Sequence, residues 1–307
     1  MVQILGILNL TRDSFSDGGR YLEPGAAIGD GLDVAGGGAD LVDVGAESTH
    51  PRAGAVPAEV EIARLEPVVR ALRAAGVRVS VDTHKPQVIE RMLALGVEMI
   101  NDVTALADER SVAALRDGQA RVAIMFARRR TPSPRAAAVD EPADGIVEEI
   151  GAFFRDRLRQ LAAAGIAPAR LVLGPGMGLF LGRDVRVSLR VLRDLHRLLE
   201  LGRPLLVCTS RKGFIGELLG AADAARRAEA QEALAQAHTQ VRAQAKIEAQ
   251  AQPGSSACAG LMRPAGERGF GTLATELWAV QAGGQDNRKH DPAALRDALG
   301  LLGAVRG

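Results

Sequence analysis

The chain has 307 residues, 47% of them hydrophobic, enough to bury a full core as one α/β barrel or as two ordinary domains. Its 38 basic and 37 acidic residues nearly cancel, and only 3% of residues are aromatic, so composition favours neither nucleic acid nor a membrane surface. Cys208 and Cys258 are too few for a disulfide framework or a thiolate metal site, and Cys208, inside an apolar run, reads as a buried thiol.

In chain order, Ile4–Leu8 is an apolar run that stops at Asn9 and gives way to a polar, Gly-rich loop ending at Gly18-Gly19. The chain thus opens in a strand pattern and not in a basic-then-apolar leader, and it has no run of about 18 apolar residues. Both points lead us to expect a soluble, cytoplasmic protein. Further short apolar runs follow at Leu41–Val44, Val77–Val81, Glu98–Ile100, Arg121–Met125, Leu171–Leu173 and Pro204–Val207. Helical patterns lie between them, including 58–75, 85–94, 146–164 and 185–199. In the first of these Ile62, Leu65, Val68, Val69 and Leu72 recur every three or four residues, a stripe that faces a sheet.

Strands apolar on both faces, alternating with helices, predict a parallel sheet. Seven such units and an eighth near the carboxyl end predict a TIM (β/α)8 barrel, usually about 250 residues. A doubly wound open sheet is the alternative, weakened by the lack of a Gly-x-Gly-x-x-Gly after an early strand. The eighth strand falls on Gln285-Asp286-Asn287-Arg288, which lacks the apolar residues an interior strand needs. Residues 221–252 are rich in Ala, Gln, Arg and Glu, with strong helix propensity but a thin apolar face, and Pro-Gly-Ser-Ser-Ala at 253–257 ends them. We expect one barrel domain over 1–307, with 221–268 as a helical insertion in the seventh βα unit; a partner-binding helix is the other reading of that segment.

Polar residues follow one strand after another: Asn9, then Glu47-Ser48-Thr49, Asp82-Thr83, Asn101-Asp102 and Ser210-Arg211-Lys212. Any one of them reads as a helix cap. In a barrel, however, all open onto the same rim, where active sites of this architecture form. Asn9 and Asp13 supply hard oxygens for a magnesium ion that also holds phosphates. Asp82 and Asn101 supply donors and acceptors for a flat heterocycle. Arg12, Arg52, Arg211, Lys212 and Arg288 supply cations for an anion. The residues alone describe a phosphate- or diphosphate-handling barrel with a small planar ligand, and a phosphate-binding barrel isomerase would share those features.

The motifs Gly6–Gly19, Asp43–Pro51, Ser80–Thr83, Asn101-Asp102-Val103, Gly174–Gly178, Ser210-Arg211-Lys212 and Arg288-Lys289-His290-Asp291 resemble those of the dihydropteroate synthase family, in the family's order and over nearly the whole chain outside 221–268. Pro175–Leu181 is similar to the sulfonamide-insensitive branch. The resemblance implies a transferase of folate biosynthesis, a homodimer built through its last helices. It would join p-aminobenzoate to a dihydropterin diphosphate and release diphosphate, with Mg2+ as cofactor. It makes Asn9 the metal ligand and places Thr49 on the diphosphate side of the pterin substrate. Asp82 and Asn101 fall on the pterin edge, and Lys212 between the pterin carbonyl and aminobenzoate. Arg288 and His290 form the site of the departing anion.

The chain departs from that pattern in four places. Gly174 stands where the family has an Asp on the pterin's amino edge, His50 where it has an Arg, Phe126 where it has a His, and Gly213 where it has a Ser. These departures keep two alternatives open: a pterin-binding paralogue with weak or no synthase activity, and a pterin-dependent methyltransfer module.

Overall fold

The computed structural model describes residues 2–10, 24–49, 53–128, 142–245 and 262–306. Arg12, Asp13, His50, Arg52 and Cys258 lie outside them. The apolar runs become parallel strands: β1 (Gln3–Asn9), β2 (Leu41–Gly45), β3 (Val79–Asp82), β4 (Met99–Asp102), β5 (Arg121–Met125), β6 (Leu171–Gly174), β7 (Leu206–Val207) and β8 (Asp286–Lys289). They pair in the order β6-β5-β4-β3-β2-β1-β8-β7. β7 returns to β6 through a bridge between Leu173 and Leu205, with the Leu173 N–H donating to the Pro204 carbonyl at 2.8 Å. This is the barrel and not the open sheet.

The strands are buried on both faces, which is why all but β8 carry few polar residues. Outside, helices α1 (Pro24–Gly36), α2 (Ala58–Ala74), α3 (Pro86–Ala94), α4 (Glu109–Arg116), α5 (Ile146–Ala163), α6 (Val185–Arg193), α7 (Gly213–Ala245), α8 (Gly269–Gln281) and α9 (Pro292–Arg306) cover the sheet. The α2 stripe packs as the periodicity predicts, with Leu65, Val68, Val69 and Leu72 buried and Ile62 partly so. Burying one such side chain contributes roughly 1.5–3 kcal/mol. Inside, Leu5, Leu41, Met99, Ala123, Val172 and Leu206 form a separate cluster that plugs the barrel.

Two expectations are corrected. The 185–199 helix breaks at Asp194, whose carboxylate accepts from Arg190 and Arg193, and a 3-10 turn (Leu195–Leu201) takes over. β7 is also shorter than its apolar run. β8 is a true strand despite its polarity, because its charges have buried partners. Asp286 pairs with Arg121 at 2.6 Å, Arg288 with Asp43 and Asp82, and Lys289 with Glu276 of α8 at 2.8 Å. Helix α7 runs straight from the end of the seventh loop for 33 residues, roughly 50 Å, and so carries the first part of the predicted insertion; the break at 253–257 lies outside the described residues.

Candidate active site

The strand register sets the site. Asn9 of β1 pairs with Gly45 of β2, Gly45 with Asp82 of β3, and Asp82 with Asn101 of β4, so Asn9, Asp82 and Asn101 occupy one row across the sheet. Gly45 keeps the row open: a Cβ there would lie 3.4 Å from the Asp82 Cβ and 3.9 Å from Asn9 Oδ1. From β8 on the other side of β1, Arg288 reaches across. Its Nη2 donates to Asp82 Oδ2 at 2.7 Å, and its Nε donates to Asp43 Oδ2. Asn101 Nδ2 lies 3.5 Å from the same Asp43 oxygen. Four strands are thereby tied by one guanidinium, two carboxylates and the Asn101 carboxamide.

These groups open into one cavity at the strand ends. Thr49, Asp82, Asn101, Lys212 and Arg288 all line it, together with Val103, Met125, Gly174, Phe180 and Cys208. Five of the seven residues singled out from the sequence therefore share one wall. The other two stand beside it. Asn9 stands in the same row as Asp82, across Gly45, and His290, just past β8, is held under the seventh loop with Nδ1 2.9 Å from Ser210 Oγ. Cys208 is half-buried and faces the cavity, which corrects its reading as a core thiol.

The loop after β6 roofs Lys212. Gly176 has φ +74°, and a Cβ there would fall 2.4 Å from the Phe126 carbonyl oxygen, so only glycine lets this loop lie on the fifth strand's exit. The loop then brings the Phe180 ring to 5.1 Å from Lys212 Nζ, a cation–π contact that holds the ammonium inside the mouth.

The electrostatics are those of a buried mixed-charge site. Burial pushes the Asp82 carboxyl up to about 7; Arg288 opposes this, while Asp43, Glu61 and Asp102 add to it. Burial likewise raises Asp102 to about 6 against the N–H and O–H donors of Thr104 and Leu106. The two carboxylates hold Arg288 firmly protonated. Burial first, then Arg211, Arg288 and Lys212, press His290 down to about 3, so its imidazole is neutral throughout the working range. Three cations beside a neutral imidazole make a focus for an anion.

Asp43 is the residue the sequence reading left without a role. Its signal was available, as a carboxylate in an otherwise apolar interior strand demands a buried partner. For a metal, no cluster of three or more His, Cys, Asp or Glu side chains occurs among the described residues. The donor at hand is the Asn9 carboxamide oxygen at the end of β1. Such a donor suits Mg2+, which keeps waters and substrate phosphates and needs only one or two protein oxygens.

Fold and site together define a (β/α)8 barrel enzyme with a pocket for a small, partly anionic ligand at the carboxyl ends of its strands. Residues 5–290 match the family described as pterin binding enzyme. The chain is 36% identical over 304 residues to dihydropteroate synthase type-2 of Escherichia coli, covering 99% of this chain and 96% of that one. Its fold is similar to Xanthomonas albilineans dihydropteroate synthase solved with 4-aminobenzoic acid (TM-score 0.78, 34% identity, 100% of this chain and 93% of the other). The same enzyme solved with 7,8-dihydropteroate gives a TM-score of 0.75 at 33% identity, covering 100% and 94%. The chain belongs to the pterin-binding enzyme family, on the dihydropteroate synthase side of it.

Proposed function

We infer that the chain forms dihydropteroate from p-aminobenzoate and a dihydropterin methyl diphosphate. What supports this most is that Thr49, Asp82, Asn101, Lys212 and Arg288 line one cavity in a chain that matches the family almost end to end. In this reaction a C–N bond forms at the exocyclic methylene, the C–O bond breaks, and diphosphate leaves with the electron pair. The aniline nitrogen is already a free base at neutral pH, so its surplus proton passes to water after attack. The protein therefore needs to position two planar substrates and stabilise departing charge.

Asp82 and Asn101 orient the pterin edge, and Lys212, under Phe180, sits between the pterin carbonyl and the incoming amine. Arg288 has a double part. Its Nε and Nη2 fix Asp43 and Asp82, while its charge, with Lys212 and neutral His290, faces the leaving anion together with Thr49. We assign Mg2+ to Asn9; when bound, the ion neutralises diphosphate oxygens.

The reading extends to three finer points. Phe270, Trp278, Leu301 and Val305 stand exposed on α8 and α9 and favour a homodimer through the last helices, which sedimentation velocity would report. Cytoplasmic residence accords with a free Cys208 and with the lack of any helix long and apolar enough to cross a membrane among the described residues. Weak inhibition by sulfonamides follows from the Pro175–Leu181 likeness and is read by titrating a sulfonamide against p-aminobenzoate.

The deciding experiment incubates the protein with dihydropterin diphosphate, p-aminobenzoate and Mg2+ and follows diphosphate release and dihydropteroate. A second reading, a pterin-binding paralogue, is favoured by one observation: Gly174 presents no carboxylate to the cavity. It predicts pterin binding without product. Methyl transfer has no use for the cations around Lys212 and His290.

A further inference from the structure

Lys212 enters the cavity because of an unusual residue before it. Arg211 has φ +56°, a left-handed conformation that a residue with a side chain adopts only when its surroundings enforce it. The turn itself supplies little: the Lys212 N–H donates to the Thr209 carbonyl at 3.1 Å. The enforcement comes from the other end of the insertion. The Arg211 N–H donates to Thr272 Oγ1 at 3.1 Å, and Arg268 Nη1 donates to the Arg211 carbonyl at 2.7 Å. Both backbone polar groups of Arg211 are thus gripped by residues 57 and 61 positions further along. Thr275 adds a hydroxyl bond to Thr209 at 3.0 Å.

Arg268 is itself aimed. Its Nε donates to the Arg263 carbonyl at 2.8 Å, and the Arg263 N–H donates to the Gly216 carbonyl at 3.1 Å. The Arg263 guanidinium makes two bonds to Asp223, at 2.6 and 2.7 Å. A Cβ on Gly216 would meet Arg268 Nε at 2.5 Å and the Arg263 carbonyl oxygen at 2.8 Å, so the returning chain lies directly on the second turn of α7. The two legs of the insertion are fastened together at its foot, next to the loop that carries Lys212.

We propose that Arg268 and Thr272 are positioning residues for Lys212, holding Arg211 left-handed, and that the Asp223–Arg263 clasp at the foot of the insertion sets Arg268 in place. The plain alternative is that these bonds only fasten α8 to the barrel. Lys212 acting at the reacting centre is part of the proposed function, and the positioning claim rests on it for its kinetic arm only.

The test compares Thr272→Val, which removes the acceptor at nearly constant shape, with Thr272→Ser, which keeps it, and adds Arg268→Met. Steady-state kinetics, thermal unfolding and amide hydrogen exchange at Arg211 and Lys212 are read on each full-length protein. Thr272→Val and Arg268→Met should lower kcat on the order of tenfold or more, with KM for the pterin substrate within about twofold and an unfolding midpoint near that of the parent. Thr272→Ser should restore kcat, and exchange at Arg211 should quicken in Val and Met but not in Ser. Unchanged kcat in Val, or equal losses in Val and Ser, overturns the proposal, as does a loss that only follows the unfolding midpoint. If Thr272→Val does not fold, Arg268→Met decides by the same criteria, and Asp223→Asn should reproduce its effect in weaker form. A parent protein that makes no dihydropteroate defeats the proposed function instead, and the exchange rates at Arg211 then judge the positioning claim alone.

Discussion

Replacing Gly174 with Asp should tighten pterin binding. Gly174 ends β6, lines the cavity with Asp82 and Asn101, and is fixed by the bond from the Phe126 N–H to its carbonyl at 2.8 Å. A Cβ at this point would lie 3.4 Å from Met125 Cγ and 3.5 Å from Met125 Cα and Cβ, ordinary contact distances. Its φ is not among the positive ones, so a side chain enters without backbone strain. A carboxylate there meets the amino and N3–H donors of a pterin, and a hydrogen bond to a charged group contributes about 1.5–3 kcal/mol net. Against this stands repulsion, since Asp82 already feels Asp43, Glu61 and Asp102. The lower end is therefore the better expectation, about 1.4 kcal/mol or tenfold in Kd. Titration calorimetry with a pterin lacking the diphosphate isolates this edge of the ligand, and Gly174→Asn, an uncharged acceptor, should gain less. Unchanged or weaker affinity in a variant that unfolds like the parent would show that this strand end does not face the pterin's amino edge. The reasoning that makes Gly174 a weakness of the site would then fail.

Four other outcomes are expected. Lys212→Ala should lower kcat/KM by about a hundredfold or more while the fold is kept, and near-normal dihydropteroate formation would overturn the assignment of Lys212. Deleting 224–250 should leave turnover within about twofold, because Asp223 and Arg263 both survive the deletion; a loss of activity would tie the tip of the insertion to catalysis. Asp43→Ala leaves Arg288 with one carboxylate and should destabilise the protein by about 3 kcal/mol, measured as a shift of the denaturant midpoint. Asp82 should contribute a fall in stability as pH rises, set against an opposite contribution from His290, whose folded pKa is depressed. Asp82 binds its proton more tightly folded than unfolded, with about 7 against 3.8, so its contribution is complete below about pH 4 and lost on rising through 7. Asp82→Asn should remove that contribution in urea titrations between pH 5 and 8; an unchanged pH dependence in the variant would show that Asp82 does not carry it.

Much of the barrel was legible because its strands are buried on both faces and its helices on one. Periodicity located the α2 stripe almost residue by residue, and the seven apolar runs located seven strands to within a few residues. What failed to read from pattern was polar. β8 looked unlike an interior strand because its partners, Arg121, Asp43 and Glu276, come from β5, β2 and α8, and no local window contains them. The break at Asp194 was hidden for a related reason: two arginines that continue the helical pattern also bind the carboxylate at its end. Cys208 was taken for core because an apolar run does not say which of its members comes last before a pocket.

The site shows the same division between what a chain announces and what only folding assembles. Thr49, Asp82, Asn101 and Lys212 could be found because each follows an apolar run, and a barrel sends every such position to one rim. Their relations could not be found that way. From sequence Arg288 reads as a cation for a leaving anion, yet two of its nitrogens are bonded to Asp43 and Asp82. Its charge therefore first compensates two buried carboxylates, and what remains for a ligand depends on how the ligand alters those bonds. A pterin that engages Asp82 would compete for the oxygen that Arg288 Nη2 now holds and would free that donor for an anion. Pterin recognition and anion stabilisation would then be linked through one guanidinium. Asp82→Asn should accordingly weaken affinity for a pterin while leaving Arg288 Nη2 less tightly held, so that affinity for inorganic diphosphate rises; loss of pterin affinity with unchanged diphosphate affinity would break the link.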